Sequence, residues 1–224
     1  MKIIYLILAR KNSKRIKNKN LLKLNNKTLI ELTIDFVKKI APLKHIIFST
    51  DSEKMRKIAN NLGVKTPWLR PKNLSLDNTS SYKTSIHAIK WYENKFNKID
   101  AVVLFQPTSP FRSKKHFENA LKKFKKNPKI PLVSVKKVGL TGDKILIKKN
   151  KYMTYFTNKK DKVNTFIPNG SFYIIEKKAL IKNKSFYANK MNYYEMFDNL
   201  MNIDIDTPDD YLMAKKLSSK KIKI

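Results

Sequence analysis

Three short stretches of this chain are built on unbroken apolar runs: "IIYLILA" (residues 3 to 9), "HIIFST" (45 to 50) and "AVVLFQ" (101 to 106). A strand with one wet face alternates polar and apolar residues, whereas a strand apolar on both faces has to be covered on both. Helical periods fill the gaps between these runs. "TLIELTIDFVKKI" (28 to 40) places Leu29, Leu32, Ile34, Phe36, Val37 and Ile40 at helical spacing. "DSEKMRKIANNLG" (51 to 63) has a Ser start, Glu53 in the first turn and Gly63 as a stop. "SSYKTSIHAIKWYENKF" (80 to 96) and "KKHFENALKKFKK" (114 to 126) are two more helices. Apolar strands alternating with helices predict an α/β fold of three layers around a mostly parallel central sheet.

After Asn127 the rhythm changes. "PLVSVKKV" (131 to 138), "KILIKKNKYMTYF" (144 to 156) with its "KNK" turn, and "GSFYIIE" (170 to 176) are strand-like, with a short helix afterwards. They predict a small antiparallel extension, an arm around 138 to 170. "IDIDTPDDYLMAKKLSSKKIKI" closes the chain as a short strand, a helix and a basic tail. No repeat or low-complexity linker interrupts the pattern, so residues 1 to 224 read as a single domain.

The formal net charge of +32 points towards an anionic partner, nucleic acid among them. Its composition points elsewhere. Of 49 basic residues only Arg10, Arg15, Arg56, Arg70 and Arg112 are arginine, and lysine runs through every segment with abundant asparagine and isoleucine. Base readout and bidentate phosphate clamps favour arginine. The charge therefore reads as a compositional background, and no specific nucleic acid is expected. With no cysteine, disulfides, thiolate metal sites and thiol nucleophiles are excluded. His45, His87 and His116 lie far apart without ligand spacing and read as structural or surface groups. The opening apolar run is too short for a signal peptide, and no segment approaches the ~20 apolar residues of a membrane span. The expectation is a cytoplasmic protein with no membrane partner.

Three loops hold the candidate chemistry. "LARKNSKRIKNKN" (8 to 20) follows the first strand and carries six basic side chains. The carboxyl edge of a parallel sheet is where ligands bind, and a phosphate cradle needs inward N–H groups with cations behind them. This loop has no glycine; Asn12 is the residue expected to tolerate a left-handed turn, with Arg10, Lys14 and Lys19 as cations. An ordinary solvated turn is the competing reading. In "IDIDTPDD" (203 to 210), Asp204 and Asp206 fall on one side of an extended segment, a pair of hard oxygen donors suited to magnesium. Thr207, Pro208, Asp209 and Asp210 make an ordinary helix start, which leaves Asp204 without a capping role. "LFQPTSPFR" (104 to 112) ends a buried strand at Gln106, whose amide both donates and accepts, as reading a base edge requires; an exposed turn is equally compatible.

Taken in order, these segments resemble the cytidylyltransferases that activate sialic and related nonulosonic acids, the CMP-N-acetylneuraminate synthetase family. Its opening motif, roughly A-R-x-x-S-K-R-x-x-x-K-N, is met by Ala9, Arg10, Ser13, Lys14, Arg15, Lys19 and Asn20. "STDSE" (49 to 53), "LRP" (69 to 71), "DNTSS" (77 to 81), "LFQPTSPFR", "PNGSFYI" (168 to 174) and "IDIDTPDD" follow in the family's sequence, over nearly the whole chain. The resemblance implies a Rossmann-like nucleotidyltransferase fold and a reaction of CTP with a keto-sugar acid to give CMP-sugar and pyrophosphate. It implies that Arg10 and Lys14 hold the triphosphate and that Lys19 and Asn20 lie against phosphate or nucleotide. Arg70, Ser81 and Gln106 would contact cytidine, and Asp204 and Asp206 would bind Mg2+. Arg10, Lys14 and Asp206 are the expected catalytic residues, and Lys144 and Asn169 the sugar-side ones. A homodimer, with the arm reaching the partner's site, is also implied. One departure stands at the sugar end: Ile167 occupies the place of an expected arginine, leaving Lys159, Lys160 or Lys162 as basic substitutes. Alternatives are a CMP-Kdo synthetase or other sugar-acid cytidylyltransferase, an inactive homologue, and a basic nucleic-acid-binding protein.

Overall fold

The computed structural model describes residues 1–149, 152–157 and 163–219. The tip of the "KNK" turn, Lys159, Lys160 and Lys162, and the basic tail lie outside the described residues. In chain order the elements are β1 (Ile3–Leu8), β2 (Lys23–Leu24), β3 (Lys27–Thr28), α1 (Leu29–Lys38), β4 (Ile46–Ser49), α2 (Glu53–Asn61), α3 (Ser81–Lys95), β5 (Ala101–Phe105), α4 (Lys114–Lys126), β6 (Leu132–Thr141), β7 (Leu146–Lys149), β8 (Tyr152–Tyr155), β9 (Asn164–Glu176), α5 (Lys177–Asn183), β10 (Asn192–Glu195) and α6 (Pro208–Ser219). The central sheet runs β10-β6-β9-β5-β1-β4. β1 is parallel to both β4 and β5, β10 is parallel to β6, and β9 runs antiparallel to β5 and β6.

Alternate residues of each strand feed opposite layers, as a two-residue repeat requires. Ile3, Tyr5 and Ile7 join Phe48, Val103 and Phe105 under α1, α2 and α4, where Ile34, Met55 and Phe117 complete the layer. Ile4 and Leu6 join Ile47, Val102 and Leu104 under α3 and α5, through Ala88, Ile89 and Leu180. A third apolar cluster seats α6 and the preceding segment by Leu24, Phe111, Ile203, Ile205 and Ala214. The three-layer α/β fold expected from the apolar strands is the one observed.

Local signals set the helix ends. Thr28 caps α1 in a capping box with Glu31, Ser52 caps α2, and Ser80 caps α3. Gly63 follows α2 at φ 81°, a left-handed turn that glycine adopts without strain. Three expectations need correction. The 203–206 segment is extended but joins no ladder; Ile203 and Ile205 point into the third cluster, so Asp204 and Asp206 still share the other side. β9 begins at Asn164, upstream of the expected strand, because its first half pairs with the outer half of β6 to form the arm. β10 is an additional strand; its sequence, "NYYE", is too short and too polar to stand out. The hairpin of β7 and β8 completes the arm.

Candidate functional site

The sheet's strand order reverses at β1: the chain leaves β1 for β4 on one side and returns to β5 on the other. Ligands of open α/β sheets bind in the crevice beyond such a switch point. Here that crevice is a cleft of about 350 Å³ between the loops after β1 and β5 and the 203–206 segment. Arg10, Lys14, Lys19, Asn20, Gln106, Asp204 and Asp206, remote in sequence, all line it.

The loop after β1 folds without glycine because asparagine takes the left-handed position. The residue is Asn18 (φ 54°), not Asn12. It opens a short 3-10 turn, Lys19–Leu21, in which the Leu21 N–H donates to Asn18 O at 2.8 Å. The buried Asn20 amide then donates to Arg10 O at 3.0 Å and joins the two ends of the loop. At its start, Lys11 N–H donates to Asp51 Oδ1 at 2.7 Å.

Each of the loop's four inward cations meets a carboxylate. Arg10 and Lys14 both pair with Asp77, the Lys14 contact at 3.3 Å. Arg15 and Lys19 both pair with Asp206, at 2.9 and 2.7 Å. Desolvation would raise the Asp77 carboxyl, but hydrogen bonds from Lys14 and Arg10 hold it below the usual carboxylate range. Asp204 behaves oppositely. Burial pushes its carboxyl up and the Asp206 charge adds to this, against hydrogen bonds from Thr108 and Ser109 and the Lys19 charge.

Asp204 is positioned from two sides. Ile205 N–H donates to Thr108 O at 2.8 Å, and Ser109 Oγ stands 3.3 Å from Asp204 Oδ1. On the other flank is Gly170, at φ 74°; a Cβ there would lie 2.5 Å from Ser109 Oγ, 3.0 Å from Asp204 Oδ2 and 3.1 Å from Gln106 Oε1. Only glycine lets β9 come this close to the cleft. Asp206 is set by the α6 cap: its N–H and that of Thr207 donate to Asp210 Oδ2 at 3.0 and 2.7 Å.

Among the described residues no cluster of three or more metal-ligating side chains occurs. Two carboxylates facing an open cleft still match magnesium, which commonly takes one or two carboxylates and completes its shell with water and substrate phosphate. Asp204, held costly to ionise by burial, is a group that a divalent charge would favour.

Other expected residues sit elsewhere. Ser81 and Arg70 border a second hollow of about 230 Å³ that shares Leu8, Arg10 and Gln106 with the main cleft. Arg70 is buried, with Nε donating to Ser49 Oγ at 3.1 Å and Nη2 to the carbonyls of Ala9 and Ser49. Asn169 lies behind the cleft wall rather than in it. At 1% exposure, its amide donates to Asn202 Oδ1 at 2.8 Å and accepts from Ser171 N–H at 3.2 Å. Lys144 is exposed on the arm and lines none of these hollows. Ile167 is also on the arm, paired with Lys136. The histidines act structurally: His45 Nδ1 is 2.9 Å from the Tyr92 hydroxyl, and the His87 ring lies 5.0 Å from that of Trp68.

Sequence reasoning passed over three residues of the site. Asp77 was visible only as the first residue of the "DNTSS" landmark, and Arg15 as a motif match, each without a role. Arg112 was a scarce arginine beside Gln106; it is fully packed, reaching Ser171 O (2.9 Å), Thr33 Oγ1 (3.2 Å) and Gln106 O, with its guanidinium over the Phe105 ring at 5.4 Å. Burial pushes Arg112 down to about 9, which leaves it charged at neutral pH.

A third hollow, of about 190 Å³, meets the other two at Gln106 and is walled by Ser81, Tyr173, Lys184, Phe186 and Tyr187. Burial and the Tyr187 hydrogen bond push the Tyr173 phenol well above its ordinary value, so it stays protonated.

A family model described as Cytidylyltransferase matches residues 4–223. CMP-N,N'-diacetyllegionaminic acid synthase of Legionella pneumophila is 31% identical, across 97% of this chain and 96% of that protein. N-acylneuraminate cytidylyltransferase of Escherichia coli is 30% identical over 98% of this chain, which spans 53% of the longer relative. Among solved structures, a CMP:2-keto-3-deoxy-manno-octonic acid synthetase complexed with CTP superposes with a TM-score of 0.71, covering 99% of this chain and all (100%) of that one. At 14% identity that likeness is one of fold. With its switch-point cleft, its ordered motifs and a match running almost from end to end, the chain belongs to the cytidylyltransferase family and is a nucleotidyltransferase.

Proposed function

We propose that this enzyme transfers CMP from CTP to the anomeric hydroxyl of a nonulosonic acid, giving the CMP-sugar and pyrophosphate. One observation carries the reading: four loop cations and two carboxylates converge on a cleft that opens, at Gln106, onto a nucleoside-sized hollow and an aromatic one. Arg10, Lys14, Arg15 and Lys19 match a triphosphate in charge. Gln106 and Ser81 offer the amide and hydroxyl that a cytosine edge requires. Tyr173 and Tyr187, with ring centroids 5.7 Å apart, present an apolar wall with polar tips to a sugar. The acid's identity rests on the names of the relatives, which handle legionaminic and neuraminic acids.

The hydroxyl oxygen attacks the α-phosphorus as its proton is released, in the end to solvent; the bond to the β-phosphate breaks, and pyrophosphate leaves with the electron pair. Because an anionic acid must approach an anionic triphosphate, the protein's task is neutralisation and in-line positioning. Asp204 and Asp206 are the residues to hold magnesium, which when bound supplies charge neutralisation at the reacting phosphate. The loop cations hold the leaving phosphates; Gly170, lacking a Cβ, leaves room for Asp204 in the main cleft beside Gln106, which all three hollows share.

This reading includes a homodimer and action in the cytoplasm, where CTP is available. Support for the dimer comes from the arm, which exposes Leu140, Leu146, Tyr152 and Phe156, an apolar set that a second copy would cover. No helix among the described residues is long and apolar enough to cross a membrane.

The test is pyrophosphate release from each of the four common nucleoside triphosphates with a panel of keto-sugar acids, with and without magnesium. Release is expected with CTP and a nonulosonic acid, only with magnesium present. Turnover of Kdo alone would move the enzyme to the alternative substrate. Silence with CTP and every acid would overturn the proposal.

A further inference from the structure

We infer that Asp77 is a positioning residue that stands in for phosphate before the triphosphate binds, holding Arg10 and Lys14 apart and ready and then yielding them to the incoming ligand. The inference rests on the reading of the cleft as a CTP site. Asp77 comes from the polar loop before α3, 67 residues from Arg10. Its two oxygens are divided between two cations: Oδ1 faces Arg10 Nη1 and Oδ2 lies 3.3 Å from Lys14 Nζ. Among the described residues it makes no other hydrogen bond, so no cap or turn accounts for it. The loop around it is closed by its own bonds, Thr79 N–H to Leu76 O at 3.0 Å and Thr79 Oγ1 to Asn73 O at 3.2 Å. The carboxylate is therefore not needed to fold the loop that carries it.

Its exposure makes the contact replaceable. The Asp77 side chain is 46% exposed and that of Lys14 is 71% exposed. Ion pairs this open are weak and yield to a stronger anion. A phosphate presents the same forked oxygens with more charge, so it competes for the same two cations. The partition within the loop supports this. Lys19, on the second carboxylate, has a side chain only 12% exposed, against 31% for Arg10 and 71% for Lys14, although Asp206 itself is nearly as open as Asp77. The two cations on Asp77 are thus held for exchange, while on Asp206 Lys19 is shielded and Arg15 is open. The same competition acts on pyrophosphate, which must leave after each turnover, and Asp77 re-forming its pairs assists that departure.

The experiment compares wild type, Asp77→Asn and Asp77→Glu by calorimetric titration with inorganic pyrophosphate and, separately, with CTP. Asp77→Asn is expected to bind both more tightly, on the order of threefold to tenfold. KM for CTP should fall without a rise in kcat, and Asp77→Glu should restore wild-type affinity. Equal unfolding midpoints exclude a folding effect, which a surface carboxylate outside any cap is not expected to have. Unchanged or weaker pyrophosphate binding by Asp77→Asn would overturn the inference, as would a wild type that binds no pyrophosphate. A wild type that binds pyrophosphate but not CTP defeats the cytidylyltransferase reading alone, while the pyrophosphate comparison still decides the role of Asp77.

Discussion

The cleft is built from two kinds of arginine. Arg10 and Arg15 stand in the loop above it, Arg10 half-buried and Arg15 exposed, each against a carboxylate that is itself open to water. Arg70 and Arg112 lie buried beneath it, each against backbone carbonyls and hydroxyls, and among the described residues neither is within ion-pair distance of a carboxylate, although Asp51 and Asp204 act on them from farther away. The upper pair is exchangeable, because an exposed ion pair gains little over water. The lower pair is not, because removing a buried cation orphans every oxygen that it satisfies. One region is made to change partners and the other to keep the strand ends in register while that happens. This division answers how a loop without glycine presents a phosphate site: Asn18 makes the turn, and the buried arginines hold the floor.

Substitutions can break that contrast. The largest effect is expected from Arg112→Ala, which strands Ser171 O, Gln106 O and Thr33 Oγ1 and should lower stability by about 3 kcal/mol or more, read by denaturant unfolding. Arg112→Lys should not rescue it, since a point charge cannot serve three directions at once. An unchanged unfolding curve would remove the floor from the argument.

Next in size is Asp206→Ala. With a carboxylate lost and Arg15 and Lys19 unpaired, turnover should fall on the order of 100-fold or more at an unchanged unfolding midpoint. A fully active variant would dissociate the Asp204 and Asp206 pair from the chemistry.

The smallest effect sharpens the picture of what sets Asp206. Partial burial alone would raise the Asp210 carboxyl, but hydrogen bonds from the Thr207 hydroxyl and N–H and the Asp206 N–H hold it below its ordinary value. A depressed folded pKa contributes stability that is fully present above the unfolded value and is lost as pH falls through the folded one. Asp210→Asn should therefore cost about 1 kcal/mol at neutral pH and flatten the acid limb of the stability profile. An acid limb identical to that of wild type would count against the cap.

Much of this was legible in residue order. The strands β1, β4 and β5 announced themselves by being apolar on both faces. α2 was bounded by Ser52 and Gly63, and α4 was read from its period to the same ends that the structure has, Lys114–Lys126. The composition of the cleft was legible through the motifs. What failed to show was of another kind. β10 is a half-polar edge strand whose existence depends on β6 being beside it. Asn169, expected to face the sugar, bonds to Ser171 within its own motif and to Asn202, 33 residues on, which the motif does not foretell.

By itself the sequence determined the alternation of strands and helices and the caps, because each depends on neighbours a few positions away; the residues that gather at the carboxyl edge of the sheet were legible only through the family resemblance of its ordered motifs. Only the tertiary structure decided which carboxylate answers which cation. Arg10 meets Asp77 across 67 residues and Arg15 meets Asp206 across 191, and separations of that length are closed by the packing of the whole sheet rather than by any local preference.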